Sequence, residues 1–192
     1  QRLALDYASM GDHERSVKFY QEAKATYERS DTLLAMYLCD ACSGIGSALW
    51  HLGRPREAEA NYKLALDFLA KSSDPRKPFR TAGTLINVGI LWQDVGDFAR
   101  SKANYLESIR LCGSVADTAT DPAFRDEAIM GRTRGYVNLA TVYFAMGDDG
   151  RSRQLLELAL KDREVLLEPD DPKLLGVQDR LADLEIEAKN FT

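Results

Sequence analysis

Hydrophobic and polar positions recur in a fixed order around four glycines, Gly11, Gly53, Gly96 and Gly147, each standing between two stretches of helical periodicity. Seven residues before each glycine lies a small residue (Ala4, Gly46, Gly89, Ala140). One residue earlier is an aliphatic (Leu3, Ile45, Val88, Leu139), and four before the glycine is a bulky side chain (Tyr7, Leu49, Trp92, Tyr143). Steps of three and four trace one face of a helix. After the glycine, small residues follow at plus five (Ser16, Ala58, Ser101, Ser152) and at plus twelve (Ala23, Ala65, Ser108, Ala159), with Tyr20, Tyr62, Tyr105 or Leu156 at plus nine. That is a second apolar face. The pattern predicts two antiparallel helices per unit, A then B, whose small residues admit bulky neighbours close to the backbone. Such a unit buries its face only by stacking on the next.

Punctuation residues agree with this division. Asp12, Asp97 and Asp148 are placed to cap helix B, and Pro55 falls in a first helical turn, where its missing N–H costs little. Helix A starts are marked by Asp74-Pro75, Asp121-Pro122 and Asp171-Pro172, and by Asp31 alone in the second unit, although Pro78 offers the third A helix a later start. The glycines are spaced by 42, 43 and 51 residues, and a degenerate fifth turn is expected 42 residues further on, at Lys189, preceded by Leu181 and small Ala182. The expected units are 1–30, 31–73, 74–120 and 121–170, followed by a terminal helix over 171–192, all within one domain. The longest spacing predicts an extended connection around "GSVADTATDPAF" before the fourth A helix.

With 192 residues, 45% of them hydrophobic, the chain has enough apolar material for one domain with a sizeable core. No apolar run approaches the roughly 20 residues that span a bilayer, so no membrane role is expected. The net charge of -5, with basic residues scattered, gives no footprint for nucleic acid. Three cysteines are an odd number that makes no disulfide framework, which favours a reducing, cytoplasmic location. Because the chain opens at Gln1 rather than Met, it is expected to be part of a longer one.

Candidate chemistry is sparse. Cys39 and Cys42 read as CxxC, but no second pair or nearby histidine completes a zinc set, so core packing is expected and no metal. His13 and His51 lack the Ser, Cys or carboxylate partner that acid–base or nucleophilic chemistry needs, and are expected at the surface. "SGIGSA" follows no strand and is not a dinucleotide fingerprint. "EPDDP" lacks calcium-loop spacing and serves as linker and cap. No cofactor and no catalytic residue are expected.

The recurring large residue, Leu-Gly or Leu-Ala, aromatic, Gly-Asp turn, and then Ala, aromatic and Ala, resembles the tetratricopeptide repeat family from Leu3 to about Phe191. The long spacing is similar to the long-helix repeats of kinesin light chains and Leu-Gly-Asn repeat adaptors. The last unit departs from the pattern, with Gln178 and Glu185 where bulky residues are expected. The resemblance implies an all-α fold, a right-handed superhelix or α-solenoid of antiparallel helix pairs, with the A helices lining a concave groove.

In that arrangement the inward positions of the A helices include Ser47, Trp50, Ile86, Asn87, Ile90, Gln93, Asn138, Thr141 and Phe144. The resemblance implies that Asn87 and Asn138, in the same phase, form an asparagine ladder pairing with the backbone of an extended peptide, since a carboxamide both donates and accepts. A surface or inter-repeat hydrogen-bonding role is the alternative, and Gly44 interrupts the ladder in the second unit. Trp50 and Phe144 are either anchor pockets or packing residues. Arg134, one turn from Asn138, either meets acidic ligand groups together with Arg132 and Arg180 or belongs to a solvated face. The family's clamp for chaperone C-terminal tails falls here on Gln1, Leu5, Gly83 and Asn87, which disfavours that ligand.

Three functions are compatible with this reading. The first is a non-enzymatic protein–protein interaction scaffold that binds a partner peptide. The others are the sensor or regulatory arm of a larger signalling ATPase or transcription regulator, and a substrate-recruiting domain attached to an enzyme.

Overall fold

The computed structural model describes residues 1–29, 35–167 and 171–190, with the backbone alone for Lys173 and for residues 183–190. Among these residues the regular structure is entirely helical: α1 (Arg2–Ser9), α2 (His13–Glu28), α3 (Ala35–His51), α4 (Pro55–Ala70), α5 (Lys77–Asp94), α6 (Phe98–Thr118), α7 (Pro122–Ala145), α8 (Asp149–Glu164) and α9 (Pro172–Asn190). The fold class is all-α and built of helix pairs. No described helix is long and apolar enough to cross a membrane.

Each A-to-B turn is built the same way, and the four glycines explain why. Gly11, Gly53, Gly96 and Gly147 have φ of 76°, 70°, 82° and 74°, a left-handed conformation that a side chain would strain. The glycine N–H reaches back three residues, as in Gly11 to the Ala8 carbonyl at 3.0 Å. The following N–H reaches back five, as in Asp12 to Tyr7 at 2.9 Å and Asp97 to Trp92 at 2.8 Å. This double closure satisfies carbonyls that the helix end leaves unpaired. The same aspartates then start the next helix, accepting the backbone N–H of Arg15, Arg100 and Arg151 at 3.1, 2.9 and 3.0 Å. One short segment therefore ends helix A and begins helix B.

The chain divides into two compact units, Gln1–Leu91 and Trp92–Thr192. In the first, α1 packs on α2, α2 on α3 and α3 on α4. Its core joins Ala4, Tyr20, Ile45, Leu49, Tyr62 and Leu91, with a second cluster of Cys39, Cys42, Ala65 and Leu69. In the second, α6 packs on α7, α7 on α8 and α8 on α9, around Ala140, Leu156, Ala159 and Val177. The small positions of the repeat are buried because bulky rings lie on them. A β-carbon added to Gly46 would stand 2.7 Å from Cε1 of Tyr62; outside the repeat positions, one added to Gly135 would stand 2.6 Å from Cγ1 of Ile109, an aliphatic neighbour.

Several expectations are corrected. The extended connection before the fourth A helix does not exist: α6 continues to Thr118 and α7 starts at Pro122, with the Asp121 carboxylate accepting the Ala123 N–H at 3.1 Å. The additional residues lengthen two helices, which satisfies backbone groups that a loop would leave to water. Helix α5 starts at Lys77 and not at Pro75; Pro78 occupies its first turn, while Asp74 accepts the Arg76 N–H at 2.7 Å within a turn. No turn occurs at Lys189, because α9 runs unbroken to Asn190. Ala182 is exposed, since α9 packs through Val177 and Leu181, and Ala182 is rotated off that face. The expected cap Asp31 lies outside the described residues.

Candidate functional site

The face presented by the A helices is best judged by which polar groups the fold already uses. Ser47 and Gln93 are committed. The Ser47 hydroxyl lies 3.0 Å from the Tyr62 hydroxyl, and Gln93 Oε1 accepts the Tyr105 hydroxyl at 3.0 Å. Both tyrosines reach from a B helix to a polar side chain of the preceding A helix. Burial raises the pKa of each phenol, with the Ser47 bond partly offsetting it at Tyr62.

The asparagines behave differently. Asn61 and Asn104, on B helices, donate to their own helix carbonyls at Glu57 and Arg100, at 2.9 and 2.8 Å. Asn87 on α5 and Asn138 on α7 are half-buried, and neither carboxamide has a hydrogen-bond partner among the described residues. A half-buried amide left unpaired retains its full donor and acceptor capacity for a ligand.

In the first unit Asn87 borders a groove of about 420 Å³ shared with Ser43, Gly44, Ser47, Tyr20 and His13. Gly44 has no room for a side chain, because the ring of Tyr20 lies directly over its α-carbon. That ring, and not an amide, occupies the place where the asparagine series is interrupted. Trp50 packs against the first unit's core and tilts over His51 with centroids 4.2 Å apart. His51 is exposed, as expected. His13 is half-buried instead, its ring stacked on that of His51 at 4.4 Å. Ile86, expected to line the groove, is 1% exposed and belongs to the core instead, whereas Ile90 is half-buried.

In the second unit Thr141 donates to the Val137 carbonyl at 3.0 Å and accepts Nη1 of Arg180 at 3.1 Å. Phe144 is 44% exposed and Arg134 is exposed. Arg132 is unavailable to a ligand: Nε and Nη2 form a bidentate pair with Asp162 of α8, at 2.9 and 2.7 Å. Arg180, named beside Arg134 from the sequence, joins this face from α9 through its bond to Thr141.

Cys39 and Cys42 are buried free thiols. Burial raises both, Cys42 to about 11. Among the described residues no cluster of three or more His, Cys, Asp or Glu is placed to hold a metal ion.

Two family profiles, both described as tetratricopeptide repeat, match residues 1–30 with 134–173 and residues 40–68. No curated protein matches the sequence significantly. Among solved structures, the chain is similar to BtubC (BKLC) from P. vanneervenii, at 20% identity and a TM-score of 0.79 over 98% of this chain and 71% of that one. It is also similar to a Podosopora anserina protein described as a kinesin light chain with nearly identical TPR-like repeats. That match has 18% identity and a TM-score of 0.71, over 98% of this chain and 85% of the other. At these identities the likeness concerns the fold.

Proposed function

We propose, from the premise that the chain belongs to the tetratricopeptide repeat family, that it is a non-enzymatic scaffold whose A-helix faces bind an extended segment of a partner protein. What carries this reading is the contrast among the asparagines. Those on B helices are satisfied within their own helix, while Asn87 and Asn138, in one phase of the repeat, keep both halves of the carboxamide open. An extended peptide backbone presents one N–H and one C=O per residue, the complement of that group. The family fold is generally an interaction scaffold, which supports protein as the partner class.

The test is single replacement in each unit. Asn87→Ala and Asn138→Ala should each weaken binding of a selected peptide by about three- to tenfold, the worth of one neutral hydrogen bond. Asn61→Ala and Asn104→Ala should leave binding unchanged. Equal affinities for all four variants, with unaltered melting, would reject the assignment.

A further inference from the structure

We infer that the stacked rings of His13 and His51 form an acid-sensitive latch, which seats the first helix pair on α3 at neutral pH and loosens it as the pH falls through the range in which imidazole titrates.

The two histidines come from opposite ends of neighbouring helices. His13 is the first residue of α2 and His51 the last of α3, so the helix dipoles disfavour a cation at His13 and favour one at His51. The rings lie nearly parallel, 11° apart in plane with centroids 4.4 Å apart. His51 is exposed, and the ring of Trp50 stands 4.2 Å from it, a neighbour that accepts a cation well. One proton on the pair is therefore accommodated at His51. A second has no comparable place. An imidazolium carries an N–H on both nitrogens, yet Nδ1 of His13 is buried without a hydrogen-bond partner among the described residues. That proton adds an unmet donor and sets two cations against each other at 4.4 Å.

The acids around the pair already answer to other cations. On α2, the Asp12 carboxylate is engaged by the backbone N–H and the guanidinium of Arg15, and exposed Glu14 acts on Arg54 at the start of α4. On α3, Asp40 is held by Arg80 of α5. The remaining side chains of the groove, Gln1, Leu5 and Ala8 of α1, Tyr20 of α2, and Asn87 of α5 among them, are uncharged at neutral pH.

The unfolded chain takes up both protons near an imidazole's ordinary value of about 6.5, whereas the second proton on the stacked pair forces the rings apart. While the stack persists, the native state binds fewer protons than the unfolded one. Its contribution to stability is full above that range and is lost as the pH falls through it. The consequence reaches the groove, because His13 heads the helix that carries Tyr20, whose ring covers Gly44 there.

The experiment compares the full chain at about pH 7.5 and about pH 5, by thermal melting and by hydrogen exchange corrected for the intrinsic effect of pH. Between the two conditions the melting temperature of wild type should fall by about 2–4 °C more than that of His51→Gln or His13→Gln, the shift expected from losing one modest interaction in a chain of this size. His51→Gln, at an exposed position, decides alone where His13→Gln already melts low at neutral pH. Acid should also raise exchange in α1 and α2 more than in α8, and His51→Gln should suppress that rise. Wild type and His51→Gln shifting in parallel with pH, or exchange rising evenly along the chain, would overturn the latch. Neither readout involves a ligand, so both are independent of the peptide-binding reading.

Discussion

The ring of Tyr62 lies against the backbone of Gly46, and its hydroxyl stands 3.0 Å from that of Ser47. Tyr62 is 1% exposed, so glycine at position 46 is a requirement of packing between α3 and α4. The left-handed turn glycines are needed for a different, backbone reason. Gly46→Leu should lower stability by about 1–3 kcal/mol, the usual cost of overfilling a close-packed site. Chemical denaturation of the variant measures this; an unchanged midpoint would contradict the contact.

The Arg132–Asp162 pair joins α7 to α8 with both side chains largely shielded, 23% and 15% exposed, and Thr133 adds a third bond to the same carboxylate at 3.4 Å. Removing one partner strands the other. Asp162→Ala should cost about 2–3 kcal/mol, while replacing both residues with leucine should recover most of the loss, because the penalty lies in the uncompensated charge. A double variant no better than the single one would place the cost in packing.

Asp97 should make stability pH-dependent at the α5–α6 turn. Its carboxylate accepts the Arg100 N–H and pairs with the Arg100 side chain, which holds it below its ordinary 3.8. A group with a depressed folded pKa stabilises the native state above its unfolded value and loses that contribution as the pH falls through the folded one. Asp97→Ala should therefore melt below wild type at pH 7, with the gap shrinking as the pH is lowered beneath 3.8. A gap that stays constant through that window would show that the charge is immaterial.

How far such features were legible in the sequence depends on the range over which they act. The small residue, the bulky ring and the turn glycine lie within one unit, and helix geometry alone orders them; hence Gly46, Tyr62 and the aspartate caps stood out in the bare pattern. Where the pattern weakened, inference failed. Before Pro122 the buried steps Ser108, Cys112 and Val115 carry the helical period past the usual end of the repeat, but small and polar neighbours such as Gly113, Thr118 and Thr120 mask it in the bare sequence. Ala182 fits the repeat but faces no neighbour on its side of α9 among the described residues.

The sequence by itself determined the repeated helix pair, its turn chemistry and the phase that Asn87 and Asn138 share, because each of these follows from steps of three and four residues or from the conformational limits of glycine and proline. Only the tertiary structure decided which polar groups remain open. Ser47 and Gln93 are taken by tyrosine hydroxyls, and the place at Gly44 is taken by Tyr20. Arg132 is taken by an aspartate on another helix, while Arg134 keeps its charge for solvent or ligand. A hydrogen bond forms or fails within a few tenths of an ångström between residues distant in the chain, and no spacing along the chain encodes that distance.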